Sequence, residues 1–292
     1  MRKLIFIIVS FCLAFSVAIA QGKKETKTFS GITDVRLTTS SGNGTIKKGS
    51  GKTVKVTVSH TYKKGYNPIF EKSGSRLTLK EDFGSGSHSG TSNWTLEVPD
   101  GINLKFKTGS GDLSIEGLDI EVNAYLGSGD ILLRDLQGDV KARTGSGDIE
   151  GYDLEAEIDF DSGSGDVEIE NSAGLFKVNV GSGDLDINDV NITESSSFIS
   201  GSGDIKVKLS NELNQSISVN SGSGNVTLDF NGTPISGYIT MQVRERNGRI
   251  EAPFSFEKEN VESNTVTKRT KIGDKEINIT LTTGSGVASI KK

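Results

Sequence analysis

Gly109-Ser110-Gly111-Asp112 is the first of six copies of one phrase, repeated at 127–130, 145–148, 163–166, 181–184 and 201–204. Gly222-Ser223-Gly224-Asn225 follows as a variant, and Gly284-Ser285-Gly286-Val287 is a last echo. The first five copies stand 18 residues apart, and the next steps are 20 and 21 residues. A fixed period of this length points to stacked supersecondary units that share one core, a solenoid.

Between the phrases the apolar residues alternate. Leu113 and Ile115 are followed by Leu118, Ile120, Val122, Ala124 and Leu126. The inward positions are odd in the first group and even in the second. Neighbours along a strand point to opposite faces, so each change of parity marks a corner. One falls near Glu116-Gly117 and the other at Gly127-Ser128-Gly129. Each coil is then two strands and two corners, with equivalent residues of successive coils about 4.8 Å apart. The seven corner phrases would span a rod of about 29 Å at that spacing. A left-handed hexapeptide helix has the same coil length but needs apolar residues at every sixth position. Starting from Leu113, those positions hold Asp119 and Tyr125. The pattern predicts an all-β, right-handed parallel β-solenoid of about 18 residues per coil, with atypical capping strands at both ends.

The flanks carry the same period-2 signal. Val35, Leu37 and Thr39 alternate, as do Val54, Val56 and Val58, then Leu77 and Leu79, then Trp94, Leu96 and Val98. These runs read as strands. Ser40-Ser41-Gly42-Asn43-Gly44 is an early corner similar to the later phrase, and residues 83–92 read as a mobile Gly/Ser loop. After Phe230 the repeat dissolves, although Ile239, Met241 and Val243, then Ile277, Ile279 and Leu281, still alternate. The expected organisation is a leader over 1–20, an N-terminal β cap region over 21–100, the repeat solenoid over 101–230 and a C-terminal β cap region over 231–292. Caps are needed because an open end exposes unpaired backbone and apolar core.

The leader has Arg2 and Lys3, an apolar run from Leu4 to Ile19, and Ala18-Ile19-Ala20 as a cleavage site. That is the pattern of a secretory signal peptide cut before Gln21. No second such run occurs, so no transmembrane segment is expected after cleavage. The expected location is the periplasm, the outer-membrane surface or the extracellular space. The single cysteine, Cys12, lies inside the leader behind Phe11, which argues against lipidation and leaves the mature chain without disulfides. Charge is uneven. Residues 21–100 are net +6, residues 101–230 net −16 and residues 231–292 net +3. An acidic middle disfavours nucleic acid, whose phosphates need a basic surface. The opposite charges of middle and ends predict weak self-association side by side.

Asp112, Asp130, Asp148, Asp166, Asp184 and Asp204, with Asn225 in the seventh place, should form a ladder. Carboxylates about 5 Å apart repel by roughly 0.9 kcal/mol per pair in water, so something must offset that. One reading has each side chain accept backbone N–H groups at its own turn. The other is a row of calcium sites built on carboxylate and carbonyl oxygens. Calcium-binding nonapeptide repeats place their Asp differently, after G-G-x-G-x. No other cofactor is indicated. The serines of the phrase read as structural. A serine nucleophile needs a base, and the two histidines, His60 and His88, read as solvated. No G-x-S-x-G elbow or phosphate loop is complete. Glu150, Asp153, Glu155, Glu157, Asp159 and Asp161 are dense enough to supply a glycosidase pair, but the tight corners leave no loops to build a cleft.

Phe29-Ser30-Gly31-Ile32-Thr33-Asp34-Val35, Trp94-Thr95-Leu96-Glu97-Val98-Pro99-Asp100-Gly101 and the Gly-Ser-Gly-Asp series resemble the bacterial "putative adhesin" family of exported proteins. Gly248-Arg249-Ile250 and the segment 281–286 are similar to its closing segment. The head domain of autotransporter adhesins is a relative of that family. The resemblance implies a β-solenoid exported to the envelope, and it brings no catalytic residues. The expected function is a noncatalytic envelope or surface protein that presents a rigid face to a protein or glycan partner. A calcium-stabilised repeat module is the alternative, and a polysaccharide-active β-helix enzyme is a third. A chelator titration separates the first two, since only a calcium module should lose melting temperature when EDTA is added.

Overall fold

The computed structural model describes residues 23–86 and 88–292. The expected leader over 1–20, with Cys12, lies outside the described residues. The fold is all-β, with 26 strands and no helix among the described residues. The strands stack in two ladders that enclose an apolar core, in the manner of a β-solenoid.

Parallel pairing carries most of each ladder. On the front face Glu121–Ser128 lies between Asn103–Thr108 and Val140–Ser146, so that Val122 neighbours Leu104 on one side and Val140 on the other. On the back face Ile131–Gln137 lies between Leu113–Asp119 and the first part of Ile149–Ser164, with Ile131 between Leu113 and Ile149. These registers bring the alternating apolar residues to one interior. Val140, Ala142, Ile158, Phe160, Leu133 and Ile149 are all fully buried. Large and small residues face each other across it. Gly151 on the back leaves room for Leu154, whose Cδ1 would lie 2.8 Å from an added Cβ, and lets the Phe160 ring from the front approach to 3.4 Å of the same point.

The bend near Glu116-Gly117 is softer than a corner. Ile149–Ser164 runs through it as one strand of 16 residues. The turn is made by one residue per coil in the left-handed region. Gly117 (φ 69°), Asp135 (50°), Asp153 (55°), Asn171 (51°) and Asp189 (52°) occupy it in turn. Gly, Asn and Asp are the types that tolerate this conformation. Where the step lengthens to 20 residues, Ser196 Oγ accepts the Phe176 N–H at 3.0 Å and donates to Glu194 O at 2.9 Å, filling in for missing backbone partners.

Coils also form outside the phrase series. Asp34–Thr39 and Asn43–Lys48 pair in parallel with Asn103–Thr108 and Leu113–Asp119, and Arg76–Phe83 and Ser92–Val98 pair in parallel beyond them. Antiparallel strands follow, Tyr66–Ser73 on the front and Thr53–His60 then Lys23–Ser30 on the back. The other end mirrors this order. Asn278–Thr283 and Gly286–Lys291 pair with Ile217–Ser221 and Val226–Asp229. Gly237–Arg244 and Gly248–Glu251 pair outside them, and Thr265–Ile272 and Lys258–Glu262 follow antiparallel on the front. At each end the chain leaves the rod, builds the outer strands and returns to the inner ones. Lys23, Lys24 and Lys27 on one edge strand, and Lys258, Glu259 and Glu262 on another, keep these edges charged, which discourages pairing with other chains.

One sequence expectation is corrected here. His60 is not solvated. It is 9% exposed and packs on Tyr66, ring centroids 4.3 Å apart. Tyr62 stacks on Tyr66 at 4.6 Å, and Phe83 meets both rings edge-on. Burial, and after it the charge of Lys23, pushes the His60 pKa down. Gly84 and His88, from the expected Gly/Ser loop, bond to each other and to Gly65 and Lys64. His88 Nε2 lies 2.7 Å from Gly84 O and its Nδ1 3.2 Å from Lys64 O, while Gly84 N donates to Gly65 O at 2.8 Å.

The corner glycines set a sharp test. A Cβ on Gly145 would sit 2.5 Å from Gly127 O of the preceding coil, backbone against backbone. Gly145→Ala should therefore cost about 1–3 kcal/mol through overpacking, while Ser146→Ala at the exposed next position should stay within about 0.5 kcal/mol. Urea unfolding of the two variants checks this.

Candidate functional site

The Asp ladder exists, but its bonds run between coils rather than within one turn. Asp112 Oδ1 accepts the Asp130 N–H at 3.1 Å, and Asp130 Oδ1 accepts that of Asp148 at 3.0 Å. Asp148 to Asp166 and Asp166 to Asp184 follow at 2.8 Å each, then Asp184 to Asp204 and Asp204 to Asn225 at 2.7 Å each. The series extends past the repeat at both ends. Asn43 Oδ1 accepts the Asp112 N–H at 3.0 Å, and Asn225 Oδ1 accepts that of Val287 at 3.0 Å. Uncharged Asn thus occupies the first and last rungs. The main chain of the same residues binds in the opposite direction, as Leu113 N donates to Asp130 O at 2.9 Å and Ile131 N to Asp148 O at 2.9 Å.

Beside this ladder runs a column of buried hydroxyls that sequence reasoning did not single out. Thr144, Ser162, Ser200, Ser221 and Thr283 each precede a corner. Their hydroxyls donate to a glycine carbonyl of the neighbouring coil, Thr144 to Gly129 O at 3.0 Å and Ser221 to Gly203 O at 2.8 Å. The signal was visible as Thr or Ser directly before most copies of the phrase. The corner is therefore a bonded seam, with its phrase serines exposed. No group of three or more His, Cys, Asp or Glu side chains is gathered to hold a metal ion among the described residues.

The dense carboxylates of 150–161 are dispersed. Glu150 faces out on the back, where Tyr152 Oη donates to it at 3.3 Å. Asp153 sits at the bend. Asp159 and Asp161 stand on the front and are held by Arg143 at 3.4 and 2.7 Å. Glu155 and Glu157 line an open depression of about 480 Å³ with Asp139, Gly174 and Glu194. The hydrogen bond from Lys177, 2.9 Å away, holds Glu157 below the usual carboxylate range, the wrong direction for a general acid.

The geometry defines a β-solenoid with flat, charged faces and short corners. The chain belongs to the Toastrack DUF4097 family, whose profile matches residues 32–287. No curated protein matches it significantly. Among solved structures, a "putative adhesin" from Parabacteroides distasonis is 12% identical, covering 92% of this chain and 97% of its own, with a TM-score of 0.44. A "putative adhesin" from Bacteroides fragilis is 13% identical with the same coverage and a TM-score of 0.42. A "putative lipid binding protein" from P. distasonis is 12% identical, covering 92% of this chain and 98% of its own, also with a TM-score of 0.42.

Two outcomes follow from these contacts. Asp148→Asn keeps the acceptor and removes a charge, so it should leave stability unchanged or slightly higher at low salt. Asp148→Ala removes the same charge but also leaves the Asp166 amide without its partner, so it should be about 1 kcal/mol less stable than Asp148→Asn. Thermal melting at two salt concentrations reads both. On the back face, burial and then the charges of Glu150 and Glu168 push the Tyr152 phenol up to about 12. An unfolded tyrosine ionises near pH ~10, so between there and about pH 12 folding retains a proton that the unfolded chain releases. Stability contributed by Tyr152 is whole below that window and falls as pH rises through it. Tyr152→Phe should flatten the decline in melting temperature between about pH 10 and 12.

Proposed function

We propose that this chain is a noncatalytic, exported envelope or surface protein that presents a rigid, right-handed β-solenoid face for adhesion or scaffolding. The observation that carries this reading is the seam. Each coil of the phrase series is bonded to the next through a side chain and the ladder itself, and most also through a hydroxyl, so the outward side chains stand on a stiff lattice. Stacked repeats offer extended faces of this kind. The scattering of the 150–161 carboxylates favours binding over hydrolysis. The occupied Oδ1 atoms favour the structural role of the Asp ladder over a calcium role. The leader pattern over 1–20 supports export, and the antiparallel strands at both ends support the assignment of cap regions flanking the repeat.

Cell fractionation with surface protease shaving tests the placement. The expected result is recovery in the envelope fraction or culture supernatant, with loss of the envelope-bound chain when intact cells are treated with protease. Recovery in the cytosol with an uncleaved N-terminus would overturn it.

A further inference from the structure

The front face carries a basic platform that the fold does not require. Outward residues of its strands stack in register. Arg36, Lys105, Asn123 and Lys141 form one row, and Thr38, Lys107, Tyr125 and Arg143 form the next. Rungs are about 4.8 Å apart, and residues two apart on a strand about 6.8 Å. Lys105, Lys107, Lys141 and Arg143 therefore mark a rectangle of roughly 7 by 10 Å with Asn123 and Tyr125 between them.

The charges here are poorly compensated. Asp34 is taken by Arg36 and Arg76, and Asp159 and Asp161 by Arg143. Asp159 is the register neighbour of Lys141, and Glu157, two residues before it, is taken by Lys177. Lys105, Lys107 and Lys141 form no ion pair among the described residues. Arg36 and Lys105 stand directly opposite each other, a like-charge pairing that destabilises a sheet. Lys105 and Lys107 crowd the Tyr125 ring at 5.9 and 5.3 Å, and the Arg143 guanidinium meets it at 5.7 Å. Arg143 Nη1 donates to Tyr125 Oη at 3.3 Å, so the phenol hydrogen is free to donate outward. Glu121, which accepts from Asn103 at 2.8 Å, and Asp139 border the platform toward the bend.

We infer that this platform binds an acidic polysaccharide, its carboxylates paired with Lys105, Lys107 and Lys141 and its hydroxyls met by Tyr125 and Asn123. Neutral donors set among spaced cations suit a chain that mixes carboxylates with hydroxyls. Duplex nucleic acid fits poorly, because it carries one charge per ~1.7 Å of axis, far denser than this lattice. A membrane surface fits poorly as well, since the platform has no exposed apolar side chain to insert. The inference deepens the surface-protein reading and names the ligand class of its front face.

The test uses the full chain and polygalacturonate, with binding read by calorimetry at low and at physiological salt. The expected result is binding that weakens with salt, that dextran does not reproduce, and that falls at least tenfold in Lys105→Ala/Lys107→Ala/Lys141→Ala. Removal of three back-face lysines, Lys47→Ala/Lys206→Ala/Lys291→Ala, should change it less than twofold. Single lysine variants, each expected to weaken binding, replace the triple if its melting temperature drops. No binding, equal loss in the two triples, or equal binding of dextran would overturn the inference. So would tighter binding to phosphatidylglycerol vesicles, or salt-sensitive self-association through the same lysines without polygalacturonate binding. Each of these leaves the shaving result untouched, and a cytosolic chain that still binds polygalacturonate would overturn the location alone.

Discussion

Each coil is tied to the next by a side chain that reaches across the gap to a backbone amide. From Asn43 through Asp204 to Asn225, the oxygen of one corner accepts the N–H of the equivalent corner one coil on. A hydrogen bond of this kind contributes about 1 kcal/mol net. Adjacent carboxylates at the same spacing repel by roughly 0.9 kcal/mol in water before salt screening. The two effects nearly cancel for an exposed Asp, so the ladder contributes alignment more than stability. Burial of the interior supplies the stability, and the seam fixes the register in which that interior stacks.

The glycines belong to the same constraint. At the corners their function is close approach more than backbone freedom. Most of the phrase glycines have ordinary φ, and their hydrogens face the carbonyl oxygens of the preceding coil. Any side chain there would push two coils apart and break the bonds that the Asp and hydroxyl columns make. The phrase is thus a joint between coils as much as a turn within one, which is why it recurs at the coil length.

Much of this was legible in the chain. The 18-residue period and the parity of Leu113, Ile115, Leu118 and Ile120 pointed to parallel stacking and an apolar interior. The direction of the Asp bonds was not legible, because a sequence cannot show whether an acceptor meets its own turn or the next coil. The left-handed column Gly117, Asp135, Asp153, Asn171 and Asp189 could have been found, since its residue types repeat at the coil period. The excursions at the two ends were hidden for another reason. Thr53–His60 alternates like any other strand and Tyr66–Ser73 does not alternate at all, and only long-range pairing reveals that both run antiparallel. The burial of His60 was hidden because it depends on the chain folding back so that Tyr66 covers the imidazole and Phe83, from another strand, closes against Tyr62 and Tyr66. The front-face platform needed register too, because Arg36 and Lys105 are far apart in sequence and adjacent in space.

Native-state hydrogen exchange at the corner amides tests the seam most directly. The amides of Asp130, Asp148, Asp166 and Asp184 belong to exposed residues and should nonetheless be protected. In Asp148→Ala the Asp166 amide should lose protection while those of Asp130 and Asp184 keep theirs. Rapid exchange at all four corners in the unmodified chain, or an unchanged Asp166 amide in the variant, would contradict the account.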